Sequence, residues 1–122
     1  MDKLIHIGEY NPKFNKILGL NITQKEIYQS IGLLKHLRKR KHTDCLKYID
    51  HIKDIIENPD YIGVNPHESG DSIELVKRYE DNVLIGIKVD MASDSLYVAT
   101  MFKIQDSKLE RRIYGGRLKK FE

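Results

Sequence analysis

The sequence predicts an α+β domain: N-terminal helices packed on a four-stranded antiparallel sheet. Three observations carry this expectation. Apolar residues recur at helical spacing in the first half, at Leu33, Leu34 and Leu37 and again at Cys45, Ile49, Ile52 and Ile56. From Ser72 onward the pattern changes to period two, the signature of strands with two distinct faces. The polar breaks between the alternating runs are short, so neighbouring strands must run antiparallel. Helices first and a meander of strands after them is the α+β arrangement.

Taken in order, Leu4, Ile5 and Ile7 suggest a short strand, and Pro12 to Leu18 a short helix begun by a proline in its first turn. Residues 1–23 are otherwise hard to read. They are expected to be an N-terminal extension of uncertain structure on a core at 24–122, the whole 1–122 forming one domain. Lys25 to Gln29 has weak β character. Ser30 suits a helix N-cap, with the stripe Leu33, Leu34, Leu37 behind it and an end near Lys41. A second helix, capped by Thr43 or Asp44, carries Leu46 and Ile55 beside its main stripe and stops at Asn58-Pro59, because the residue before proline avoids helical angles. Tyr61 to Val64 is an expected strand, as are Ser72 to Tyr79, Val83 to Val89 and Leu96 to Ile104. Glu80-Asp81-Asn82 and Asp90 to Asp94 are turns. Asp106-Ser107-Lys108 opens a short helical or looped piece ahead of Gly115-Gly116-Arg117.

Composition narrows the function classes. The chain has 122 residues, a length that fits one domain. No stretch approaches the roughly 20 apolar residues of a membrane span, and no charged-then-apolar leader opens it. A cytoplasmic protein without membrane contact is expected. Cys45 is the single cysteine, which excludes an internal disulfide and a cysteine-rich zinc site; among Leu46, Ile49 and Ile52 it reads as a buried, inert thiol. No metal or other cofactor is expected, since HExxH spacing, a carboxylate cluster and a P-loop are all missing.

The formal charge of +3 hides an uneven distribution. Up to Lys53 there are eleven basic and five acidic residues, from Asp54 to Asp94 three and ten, and from Ser95 to Glu122 seven and three. Basic ends around an acidic middle point to a side suited to a polyanion, or else to a solvated surface with charges clustered by chance. The densest signal is Lys35-His36-Leu37-Arg38-Lys39-Arg40-Lys41-His42, which has five fixed cations, two histidines and no acid. Such a run gains free energy against phosphates by releasing condensed counterions. It reads equally as a solvated, basic helix end that complements the helix dipole. Histidine can both take and give a proton near neutral pH. That is the group needed to cleave RNA without a metal: a base for the 2′-hydroxyl, an acid for the leaving 5′-oxygen, and cations for the charge-rich transition state. His36 and Arg40 share one helix flank. His42 would stand about 120° round from His36 on a continuous helix, so the two meet at one phosphate only if the helix breaks first.

Other candidates have plainer readings. His6 lies in an apolar run and reads as structural, His51 as exposed, and His67 as a loop residue in Asn65 to Gly70. Thr100 is by itself a β-branched strand filler. Arg117 follows two glycines that would allow close approach to a ligand, or is a surface arginine.

Several of these elements occur together in an order that resembles one group. They are Lys35-His36 with Arg40 and His42, Ile55-Ile56-Glu57-Asn58-Pro59-Asp60-Tyr61-Ile62-Gly63, Ile87-Lys88-Val89-Asp90, Leu96-Tyr97-Val98-Ala99-Thr100-Met101 and Gly116-Arg117-Leu118-Lys119. From about Ile27 to Phe121 the chain resembles the phage-type branch of the barnase–EndoU–colicin–RelE-like (BECR) nucleases. The resemblance implies a BECR-like fold and a small, metal-independent endoribonuclease with RNA as partner. It also implies use as a phage or mobile-element toxin, which brings an antitoxin or immunity protein with it. His36 and His42 would be the acid–base candidates, and Thr100 would contact the scissile phosphate or orient it. Arg117 and Lys108 would supply positive charge, Tyr97 a stacking or hydrogen-bonding partner, and Arg38, Arg40 and Lys88 further RNA contacts. Strand alternation puts Tyr97 and Thr100 on opposite faces unless a bulge intervenes, so at most one is expected in the site. The competing expectation is a non-catalytic nucleic-acid-binding module, or an accessory interaction protein of phage or plasmid origin.

Overall fold

The computed structural model describes residues 4–30, 43–66, 72–90 and 95–121. The helix expected from Ser30 to Lys41, with His36, Arg38, Arg40 and His42, lies outside the described residues, and so does His67. The side chain of Cys45 is likewise not among those described.

The architecture corrects the sequence expectation. In place of a four-stranded antiparallel sheet under N-terminal helices, the described residues form a seven-stranded mixed sheet with short helices on its two faces. The strands are β1 (Leu4–Glu9), β2 (Glu26–Ser30), β3 (Tyr61–Val64), β4 (Ser72–Arg78), β5 (Asn82–Asp90), β6 (Ser95–Lys103) and β7 (Leu118–Lys120). Their spatial order is β1-β2-β6-β5-β4-β3-β7. Every pairing is antiparallel except β2 with β6, which is parallel. The four strands expected to make the sheet are β3 to β6. The short strand suggested at Leu4, Ile5 and Ile7 and the weak β character of Lys25 to Gln29 correspond to β1 and β2, which join the same sheet, and β7 adds a seventh strand.

Among the described residues the helices are α1 (Lys13–Leu18), α2 (Ile52–Glu57) and α3 (Asp106–Tyr114), with a 3₁₀ segment at Thr43–His51 running into α2. Pro12 precedes α1, and the Asn11 side chain accepts a hydrogen bond from the Lys13 amide at 3.0 Å. Asn15 then ties down the following loop: its Oδ1 accepts from the Ile22 amide and its Nδ2 donates to the Ile22 carbonyl. The single helix expected over Thr43 to Glu57 is wound tightly in its first half. A three-residue turn stacks i on i+3, which lines up Tyr48 and His51 against Tyr79. Tyr79 donates to Asp54 at 2.6 Å and Tyr48 to Asp81 at 2.8 Å. These hydrogen bonds hold both carboxyls below their ordinary range and fasten the segment to the β4–β5 turn. His51 is exposed, as read from its helix.

Two apolar clusters sandwich the sheet. On one face Ile52, Ile55 and Ile56 of α2 and Phe14 of α1 meet Ile27, Ile62, Ile73, Leu75, Val83, Ile85, Ile87, Leu96, Val98 and Met101. These strand residues follow period two, except for the three-residue step from Val98 to Met101. On the other face α3 covers a smaller patch, with Leu109 against Val76, Leu84, Ile104 and Leu118. Beyond the edge of α3, that second face carries polar and aromatic side chains. Among the described residues no helix is long and apolar enough to cross a membrane.

Candidate functional site

Strand register builds the site on the α3 side of the sheet. Directly paired residues share a face. Glu74 of β4 pairs with Gly86 of β5, and Gly86 with Thr100 of β6. One step along, Ser72 pairs with Lys88 and Lys88 with Tyr97. The row continues across the parallel seam, Tyr97 with Tyr28 and Tyr28 with His6.

Thr100 and Tyr97 therefore lie on one face, against the expectation that only one could. The register slips between Gly86 and Ile87: Gly86 faces Thr100 while Ile87 faces Val98. Ala99 is the extra residue of a β-bulge, which restores the alternation one residue out of phase. Leu96, Val98 and Met101 stay in the core, and Tyr97 and Thr100 both turn to the α3 side.

The centre of the site is a buried carboxylate. The Glu74 side chain is only 4% exposed and lies between two arginines. Arg117 donates from Nε to Oε1 at 2.8 Å and from Nη2 to Oε2 at 2.9 Å, a fork-to-fork pair. Arg112 donates from Nη1 to Oε2 at 3.2 Å. Burying a carboxylate this deeply is tolerable only because its oxygens are satisfied by charged donors. The same contacts fix both guanidinium planes.

Arg117 reaches this position through two glycines. Gly116 has φ +81°, the left-handed geometry that lets the chain leave α3 and turn back into β7. Gly63 of β3 faces the Arg117 backbone. A Cβ there would collide with the Arg117 carbonyl and come within 2.9 Å of Leu118 Cδ2. Gly63→Ala is therefore expected to push β7 outward and cost about 2 kcal/mol, the usual scale of overpacking. Urea denaturation followed by circular dichroism checks it, and an unchanged midpoint would count against the close approach.

Glu74, Arg112, Arg117, Lys88, Ser72 and Thr100 line a cavity of about 140 Å³ with Gly86 at its floor. Three cations against one carboxylate leave the described lining electropositive. Arginine offers five N–H donors, and Arg117 spends two on Glu74. A phosphate entering here would meet guanidinium, ammonium and hydroxyl donors together. A larger hollow of about 430 Å³ at the far end of the sheet is lined by Glu80, Asp81 and Asp106 with Lys103. Its charge has the wrong sign for a polyanion.

The structure thus gathers three of the sequence candidates, Thr100, Lys88 and Arg117, into one cavity, with Tyr97 beside Lys88. Lys108 is elsewhere, in a shallow hollow along α3 with Arg111 and Arg112; Arg112 is common to both hollows. His6 is not a core residue: it is exposed, its ring edge-on to Tyr28 at 5.6 Å. The Glu26 carboxylate accepts the Tyr28 hydroxyl at 2.6 Å and raises that phenol above its ordinary pKa. Sequence reasoning missed Glu74, Arg112 and Tyr28. Glu74 had a signal, a lone carboxylate in Ser72-Ile73-Glu74-Leu75-Val76, since an acid between apolar strand residues needs a buried partner.

No curated protein and no solved structure matches the chain. Residues 5–111 match the family model of the phage-Barnase-EndoU-ColicinE5/D-RelE like nuclease3 group, a span that takes in Glu74, Lys88, Tyr97 and Thr100 and stops just short of Arg112 and Arg117. The match covers most of the chain and agrees with the resemblance carried by its motifs, so the protein belongs to this family of phage BECR-like nucleases.

Proposed function

We propose that this nuclease is a metal-independent endoribonuclease whose cavity at Thr100 holds the scissile phosphate. The observation that carries the reading is the meeting of Thr100, Lys88 and Arg117, from three separate stretches of chain, around one electropositive hollow. The Thr100 hydroxyl donates to a non-bridging phosphate oxygen. Arg117, Arg112 and Lys88 stabilise the negative charge that grows on those oxygens as the 2′-hydroxyl attacks. One imidazole of His36 and His42 takes the 2′-hydroxyl proton and the other protonates the leaving 5′-oxygen. Both lie in the basic run between Ser30 of β2 and Thr43. The products are a 2′,3′-cyclic phosphate and a free 5′-hydroxyl. DNA lacks the attacking group and is not cut.

The test is an end-labelled RNA with its DNA counterpart, incubated with and without EDTA. Cleavage of the RNA alone, unchanged by chelator and leaving cyclic phosphate ends, is expected. Thr100→Ala should lower the rate about 100-fold, the scale of losing one transition-state donor, with an unchanged circular dichroism spectrum. Loss of activity in EDTA, cutting of the DNA, or full activity in a His36→Ala, His42→Ala double variant would end this reading.

A further inference from the structure

We propose that Tyr28 and Tyr97, with His6 edge-on behind them, form a platform that stacks an unpaired nucleobase next to the cavity. The inference deepens the endoribonuclease reading and rests on it for the identity of the nucleic acid. Its basis is the row Lys88, Tyr97, Tyr28, His6 on four adjacent strands, β5, β6, β2 and β1. Adjacent strands are about 4.8 Å apart. Tyr28 therefore lies about 10 Å across the sheet from Lys88, within reach of a nucleotide or two.

Charge also divides the face. Around the cavity stand Arg112, Arg117 and Lys88. The tyrosines follow, uncharged and half-buried, with His6 exposed beyond them. Glu26 and Glu9, a pair on the same two strands as Tyr28 and His6, flank the platform along the strand direction. A phosphate is attracted to the cavity and repelled from the flank that carries Glu26 and Glu9. What suits the middle is the neutral part of a nucleotide, the base. Flat rings on adjacent strands bind bases by stacking, with little regard to sequence. They can do so only when the base is not already stacked in a duplex, so the ligand is a single strand or a loop. The hydrogen bond to Glu26 holds the Tyr28 ring in place, and His6 braces its edge.

The decisive comparison uses two fluorescein-labelled 2′-O-methyl oligonucleotides of one length, which lack the attacking hydroxyl. One carries all its bases and the other has abasic sites at alternate positions. Anisotropy titration of the unaltered protein should show the base-bearing strand bound about tenfold more tightly, the scale of one stacking contact. Tyr28→Ala should erase that preference while leaving the affinity for the abasic strand unchanged, and Tyr28→Phe should keep most of it. Equal binding of the two strands by the unaltered protein overturns the platform, and so does a preference that survives both Tyr28→Ala and Tyr97→Ala. Cleavage of unmodified RNA is assayed in parallel. A protein that cuts RNA but ignores bases loses only the platform. One that prefers bases but never cuts keeps the platform and loses the endoribonuclease reading.

Discussion

Replacing Glu74 with alanine is expected to destabilise the protein by about 3–5 kcal/mol, the cost of breaking a buried ion pair from one side. The carboxylate is buried, and three charge-assisted hydrogen bonds converge on it. Its removal leaves two guanidinium groups packed together with no counter-charge between them. Both arginines keep about a fifth of their side-chain surface in water, 23% for Arg112 and 21% for Arg117, so they can swing outward and relieve part of the repulsion. The lower end of the range is therefore the expected value. Glu74→Gln keeps the shape and one acceptor, and should cost less. The measurement is urea denaturation at neutral pH. A shift below about 1 kcal/mol, the level of an exposed pair, would show that Glu74 does not hold the arginines. The same variant should weaken binding of a non-cleavable RNA, because the two forks lose their common anchor.

The other large effect is expected on the opposite face of the sheet. Phe14→Ala should cost about 3–5 kcal/mol, the usual loss for emptying a fully buried phenylalanine site. Phe14 is wholly buried, edge-on to Tyr10 at 5.3 Å and to Phe121 at 5.0 Å. It sits on a helix of six residues, far too short to persist without packing. Because Phe121 follows β7, this cluster joins the N-terminal segment to the strand just beyond Arg117. Phe14→Leu refills most of the volume and should lose less than half as much. A midpoint unmoved by Phe14→Ala would mean that residues 10–18 do not pack as described.

How much of this was legible depended on whether a pattern is local. The meander of β4, β5 and β6 could be read because period two and short polar turns both lie within a few residues of one another. The pairing of β2 with β6 could not, since parallel strands need no turn between them and Ile27 carries no mark of Leu96 as its neighbour. β7 has three residues, too few for a period. Apolar spacing at Cys45 to Ile56 announced a helix but cannot separate 3₁₀ from α winding. In the site, Thr100 and Arg117 were visible as residue types in a recognisable order. Their company was not. The Ala99 bulge that turns Tyr97 to the same face depends on strand register, and the Arg112–Glu74–Arg117 triad depends on where α3 docks.

The seam between β2 and β6 has a consequence for motion. The two strands share the Ile27–Leu96 and Tyr28–Tyr97 pairs, whereas β5 and β6 pair along nearly their whole length. Closing so distant a contact carries a large loop entropy for little cross-strand reward. The β1–β2 ribbon is thus the natural unit of sub-global opening, peeling from a central meander that stays folded. Each such event would carry Tyr28 and His6 away and leave the arginine fork in place, so hydrogen exchange should run faster in the ribbon than in β5.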